Sequence, residues 1–247
     1  LSLVLLAGIP HGAADILIAR RMIRSNYLWL SLFLVSYLII AAFIVVIWFL
    51  VPLSSLIMFL IISISHFGLM DTKKTKTLPL RYLRVIIYGS TPIIIPATFH
   101  TIDVNNLFAL LIFEEHTVLA TFIANLFPIW FLSCVIFFVT GGKSLKYQFL
   151  EILLLAVVLA YLPPLWGFAI YFCFVHSSRH ILQLLNSLGS LNYNDYLFLI
   201  VTVLISILAI VVAAYHFSNE TFDIGIIKAT FISLAALTVP HMLLIDS

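Results

Sequence analysis

Charge is what this sequence lacks. Lys, Arg, Asp and Glu make up 9% of its 247 residues, against about 25% in a soluble domain. So little polar material cannot cover a globular surface in water, which argues against a soluble protein. The 12 basic and 10 acidic residues leave a net charge of +2. No basic block alternates with aromatics, so nucleic acid is not an expected partner. Cysteine is scarce as well. Cys134 and Cys173 both fall inside apolar runs, where cysteine behaves as a small hydrophobe. Neither a disulfide framework nor a zinc-type cysteine pair is implied.

What fills the sequence instead is apolar residues, 64% of the total, with a mean hydropathy of +1.22. A membrane helix needs about 20 mostly apolar residues. Nine stretches are candidates: roughly 1–19, 27–51, 54–70, 82–99, 118–140, 147–162, 165–186, 196–215 and 226–245. Val51-Pro52-Leu53-Ser54 separates the second from the third, and Pro163-Pro164 the sixth from the seventh. The run Leu1–Ala19 contains Pro10, His11 and Asp15 and leads into Arg20 and Arg21. It reads as a retained helix rather than a signal peptide. The stretch 100–117 is too polar at its ends to span, and is expected to lie along the interface as a short amphipathic helix. The fold class is therefore all-α: a polytopic transmembrane helical bundle with about eight or nine spans. It is expected to form one integral-membrane catalytic domain over 1–247, multi-pass in the cytoplasmic (inner) membrane.

Short loops set the orientation. Arg20, Arg21 and Arg24 follow the first run; Lys73, Lys74, Lys76, Arg81 and Arg84 follow the third; Lys143 and Lys146 follow the fifth. These are placed on the cytoplasmic side. Asp103, Glu114, Glu115, Glu220 and Asp223 then fall on the other, and Lys228 is the main exception.

The eight histidines carry the chemistry. Ionisable groups inside a membrane are costly and mark function by default. His100, His116 and His216 sit at run ends or in 100–117 and read as solvated. His11, His66, His176, His180 and His241 fall within four apolar runs that all cross in one direction, so five imidazoles are expected at similar depth. His176-Ser-Ser-Arg-His180 has the i,i+4 spacing that puts two imidazoles on one helical face, a chelating arrangement. Arg179 beside them is explained by a carboxylate partner or by snorkelling. Asp15 shares a helical face with His11, either as the carboxylate that accepts the N–H of a ligating histidine or as a cap. Pro10 frees the Leu6 carbonyl, and Gly8 and Gly12 permit close packing. Asp71 follows His66 and is a second such carboxylate, nearer the membrane edge. His241 follows Pro240 and is read as a pocket or interior histidine ahead of a ligand. All-imidazole ligation suits zinc, copper, iron or nickel. A four-histidine zinc site would be closed, whereas iron keeps open positions, so iron is the better catalytic metal.

Four segments, GIPHGAAD (8–15), SHFGLMD (65–71), HSSRH (176–180) and PHMLL (240–244), resemble the motifs of the Brp/Blh-type membrane β-carotene 15,15′-dioxygenases of bacteria and archaea. The resemblance spans almost the whole chain, in order and on separate helices. It implies a non-haem Fe(2+) held by His11, His66, His176 and His180. It also implies cleavage of the central double bond of β-carotene with O2 to give two molecules of retinal, the chromophore of microbial rhodopsins. A polyene that resides in lipid would be met inside the bilayer. Phe67, Trp166, Tyr171, Phe172 and Phe174, near the expected ligands, are candidates for lining its tunnel.

Other classes stay open on the residues alone. A desaturase or hydroxylase uses histidine boxes, but those resemble a larger set with adjacent His-His pairs, absent here. A b-type cytochrome would need two axial pairs across facing helices, and a metal transporter would also line its path with imidazole. A retinal-binding Schiff base is disfavoured, because no lysine lies in mid-helix.

Overall fold

The apolar runs become helices, and two glycines decide how closely one pair of them can meet. The computed structural model describes residues 15, 19–20, 27–75, 77, 79–142, 145–188, 192–216 and 222–245. Helix α1 is Tyr27–Leu50, α2 Pro52–Asp71, α3 Arg81–Phe99, α4 Thr101–Leu111, α5 Leu119–Ala124 and α6 Phe127–Gly141. Then come α7 Lys146–Tyr161, α8 Pro164–Ile170, a π-helical segment Tyr171–Ser177, α9 Ser178–Leu188, α10 Tyr193–His216 and α11 Phe222–Ile245. Among the described residues there is no strand. Proline opens α2 and α8 and sits in the first turn of α6, where its missing N–H would have had no intrahelical partner.

Five described stretches are long and apolar enough to cross a membrane: Leu28–Leu50, Pro52–Asp71, Arg81–Phe99, Leu119–Gly141 and Asp223–Leu243. The chain is a polytopic membrane protein. Two expected runs are interrupted. The run 118–140 breaks at Asn125-Leu126, where the Leu126 N–H bonds to the Ile123 carbonyl in a tightened turn. The run 165–186 is not α-helical throughout, because it passes through the π segment that contains His176. His176 lies in this segment and His180 in α9. A π segment bonds residue i to i+5, widens the turn, and is frequent at functional sites. The stretch 100–117 does form a helix, α4, which buries Val104, Phe108, Ala109 and Leu111.

The chain divides into two compact units. The middle unit is Leu56–His176; the terminal unit joins Leu1–Ser55 to Ser177–Ser247. In the terminal unit α11 packs on both α1 and α10. In the middle unit α3 is the hub, packed by α4 through α8. Most of α3 is buried even though it carries Arg84, Tyr88, Ser90 and Thr91. Its polar groups are satisfied internally, as lipid requires. Ser90 and Thr91 donate to the carbonyls of Ile86 and Ile87, and Trp130 Nε1 of α6 donates to Thr91 Oγ1 at 3.2 Å.

The crossing of α2 and α3 rests on Gly68 and Gly89. A Cβ at Gly68 would fall on the Val85 carbonyl, and one at Gly89 on the Ile64 carbonyl. Two backbones can approach this closely only where both side chains are absent. Arg84 corrects a topology reading: it is fully buried within α3, not a loop cation. Its guanidinium donates to Thr75 Oγ1 and to the Thr75 carbonyl, each at 2.6 Å. Thr72 Oγ1 donates to the Gly68 carbonyl at 2.7 Å. Together these bonds fix the turn that follows Asp71.

Candidate functional site

In the middle unit, the α2–α3 crossing holds the face of α2 that buries Ser63, His66, Phe67 and Met70. Asp71 ends that helix with its side chain 1% exposed. An ionised carboxylate in an apolar interior costs several kcal/mol unless its oxygens are bonded. Both are. Tyr171 O–H donates to Asp71 Oδ2 at 2.8 Å, and His176 Nδ1 lies 3.3 Å from Asp71 Oδ1. A carboxylate only accepts, so Nδ1 of His176 is the donor and, in the neutral imidazole, Nε2 carries the lone pair. His66 packs edge-on to His176, with ring centroids 5.0 Å apart. Phe67 meets the His176 ring at 4.7 Å, and Phe172 stacks on it at 5.8 Å.

The terminal unit holds a second array of the same kind. Asp15 is wholly buried. Tyr37 O–H donates to Asp15 Oδ2 at 2.8 Å, and His241 Nδ1 lies 2.7 Å from Asp15 Oδ1. His180 is buried beside His241, with centroids 5.2 Å apart.

Asp15 was expected beside His11 and Asp71 beside His66. The structure gives Asp15 to His241, 226 residues away, and Asp71 to His176, 105 residues away. His11 lies outside the described residues. Phe67, Tyr171 and Phe172 are buried around His176, whereas Trp166 and Phe174 are 58% and 64% exposed. The helical periodicity turns these two outward. Of the histidines set aside, His100 Nε2 is 3.0 Å from the Ala160 carbonyl and His116 is exposed. Tyr37 escaped sequence reasoning altogether. Only its position in an otherwise apolar run set it apart, and a tyrosine there is commonplace.

Among the described residues, no group of three or more His, Cys, Asp or Glu side chains is gathered as a ready-made metal site. Each unit gathers an imidazole pair. The donor chemistry suits a metal: a neutral histidine with its N–H on a carboxylate is the usual way to orient a ligand and raise its basicity. The separations suit it also. With metal–nitrogen bonds of about 2.1 Å, imidazoles sharing one ion have centroids about 4.5–5.2 Å apart, and the two pairs lie at 5.0 and 5.2 Å.

Fold and site together define an all-helical membrane protein with buried, carboxylate-held imidazole pairs, a suitable frame for metal-dependent chemistry on an apolar substrate. Residues 2–247 match the profile of the β-carotene 15,15′-dioxygenase family, and the chain belongs to that family. It is an oxidoreductase by that membership. It is 32% identical over 253 aligned positions to the β-carotene 15,15′-dioxygenase of uncultured marine bacterium 66A03, covering 100% of this chain and 91% of that protein. It is 24% identical to a probable β-carotene 15,15′-dioxygenase, Blh, of Halobacterium salinarum, over 75% of this chain and 61% of that one. No solved structure matches.

Proposed function

We propose that this protein is an iron-dependent dioxygenase that cleaves the 15,15′ double bond of β-carotene with O2, giving two molecules of retinal. The observation that carries the reading is the pair His66 and His176, with His176 held by Asp71 in an aromatic, buried setting. The family match over nearly the whole chain supports the substrate. His11, His66, His176 and His180 are the proposed ligands of Fe(2+), and 1–247 acts as one catalytic domain. When bound, the iron supplies dioxygen activation.

The chain's own residues supply orientation and dryness. Asp71 keeps the proton of His176 on Nδ1, leaving Nε2 as the donor atom. Tyr171 occupies the second oxygen of Asp71, so the carboxylate cannot swing away from the histidine. Phe67 and Phe172 exclude water from the same ring and offer apolar surface to a polyene. The proposed setting is the cytoplasmic membrane, where substrate partitions from lipid and retinal passes to a rhodopsin.

Expression in cells that accumulate β-carotene tests this. Loss of colour with formation of retinal is the expected result. Persistent colour, with the protein folded and iron-loaded, overturns it. A haem Soret band in the purified protein, or metal flux into proteoliposomes with carotene intact, would favour the rival classes.

A further inference from the structure

The terminal unit contains a polar array that the four-ligand reading does not use. Asp15, Tyr37 and His241 come from three separate places in the sequence, yet their side chains meet in an apolar bundle. Asp15 is 0% exposed and His241 3% exposed. A charged carboxylate at membrane depth is costly and marks function by default. A histidine needed only for packing would be served by a carbonyl, without a buried charge. The carboxylate instead has both oxygens assigned, one to a tyrosine and one to the imidazole, at 2.8 and 2.7 Å.

This arrangement fixes the tautomer of His241. Asp15 accepts the Nδ1–H, so in the neutral imidazole Nε2 carries the lone pair. Tyr37 also lies 3.4 Å from the Leu237 carbonyl, one turn before His241 on α11, which ties the hydroxyl to the same helix. The imidazole so fixed lies against His180, one of the four proposed ligands, at a centroid separation of 5.2 Å and an interplanar angle of 59°. The middle unit repeats every part: Tyr171, Asp71, His176 on Nδ1, and His66 at 5.0 Å. There the carboxylate-held histidine is itself a proposed ligand.

We infer that His241 is a metal ligand paired with His180 within the terminal unit, and that Asp15 and Tyr37 are its positioning residues. The inference rests on the iron reading above but not on carotene as substrate.

The test is anaerobic titration of the detergent-solubilised, metal-free protein with Fe(2+), together with X-ray absorption of the loaded protein to count imidazoles. His241→Gln is expected to weaken iron binding at least tenfold and to remove one imidazole from the count. Free imidazole should partly restore binding to His241→Ala. Asp15→Asn, which keeps size but weakens the acceptor, should weaken binding about 10–100-fold, and Tyr37→Phe by a smaller factor in the same direction. Wild-type affinity and an unchanged count in His241→Gln and Asp15→Asn overturn the inference. If His241→Gln does not fold, as judged by circular dichroism and size exclusion, Asp15→Asn decides: iron binding weakened at least tenfold supports the inference and wild-type affinity overturns it. The two readings fail separately. His241-dependent iron binding with no retinal formed removes the carotene reading and leaves this one. Retinal formation with iron binding indifferent to His241 does the reverse.

Discussion

The two units solve one problem with the same three side chains and different geometry. In each, a buried aspartate gives one oxygen to a tyrosine and the other to a histidine Nδ1, and a second histidine packs on that ring at about 5 Å. In the middle unit the histidine–carboxylate distance is 3.3 Å, Tyr171 is wholly buried, and Phe67 and Phe172 enclose the ring. In the terminal unit the distance is 2.7 Å and Tyr37 is only half-buried. A shorter charge-assisted bond is stronger. The comparison suggests a division of labour: the middle array depends on packing to hold its histidine, and the terminal array on its hydrogen bond.

The largest effect should come from the imidazoles themselves. His176→Ala or His180→Ala is expected to abolish iron binding, whereas His216→Ala, at the end of α10, should leave activity nearly intact. Equal loss in His216→Ala, measured as retinal formed, would break the depth argument that set it aside.

Next is the frame of the middle unit. Gly89→Ala or Gly68→Ala puts a methyl onto a facing carbonyl and should cost about 3 kcal/mol, the upper range for overpacking, read as a fall in melting temperature in detergent. A wild-type melting temperature would mean that the two helices can part without cost.

The carboxylates sharpen the contrast between the arrays. Asp15→Asn is expected to weaken iron binding more than Asp71→Asn, both within the 10–100-fold range typical of groups that orient metal ligands. Phe67→Ala, conversely, should disturb His176 by opening a cavity, costing about 3–5 kcal/mol of stability. If Asp71→Asn proves the more damaging, packing does not hold His176 and the division of labour fails. The smallest effect belongs to Trp166→Leu and Phe174→Leu. Both residues are largely exposed, so retinal formation should stay within about twofold of wild type, as surface changes generally do.

Much of this was legible residue by residue. The shortage of charge compelled a membrane protein, because water cannot be faced with such a surface. The apolar runs became α1, α2, α3, α7 and α11 to within a few residues, because a membrane helix satisfies its own backbone and needs no distant partner. The motifs around His66, His176 and His241 marked side chains that are buried. Their partners were not legible. Helical spacing offers each aspartate the nearest histidine on its own face, and both carboxylates chose histidines more than 100 residues away.

Sequence by itself therefore determined the solvent this protein lives in, the helices it forms there, and the residues too polar to be placed in lipid without purpose. Tertiary structure alone decided that Tyr37 completes an array, that Arg84 clasps a turn from inside a helix, and that Asp15 belongs with His241. The physical reason is range. Hydrophobicity and backbone bonding act within a segment and can be read along the chain. A buried charge is satisfied by whichever donors helix docking brings within about 3 Å, and docking here turns on details as small as the absent Cβ atoms of Gly68 and Gly89.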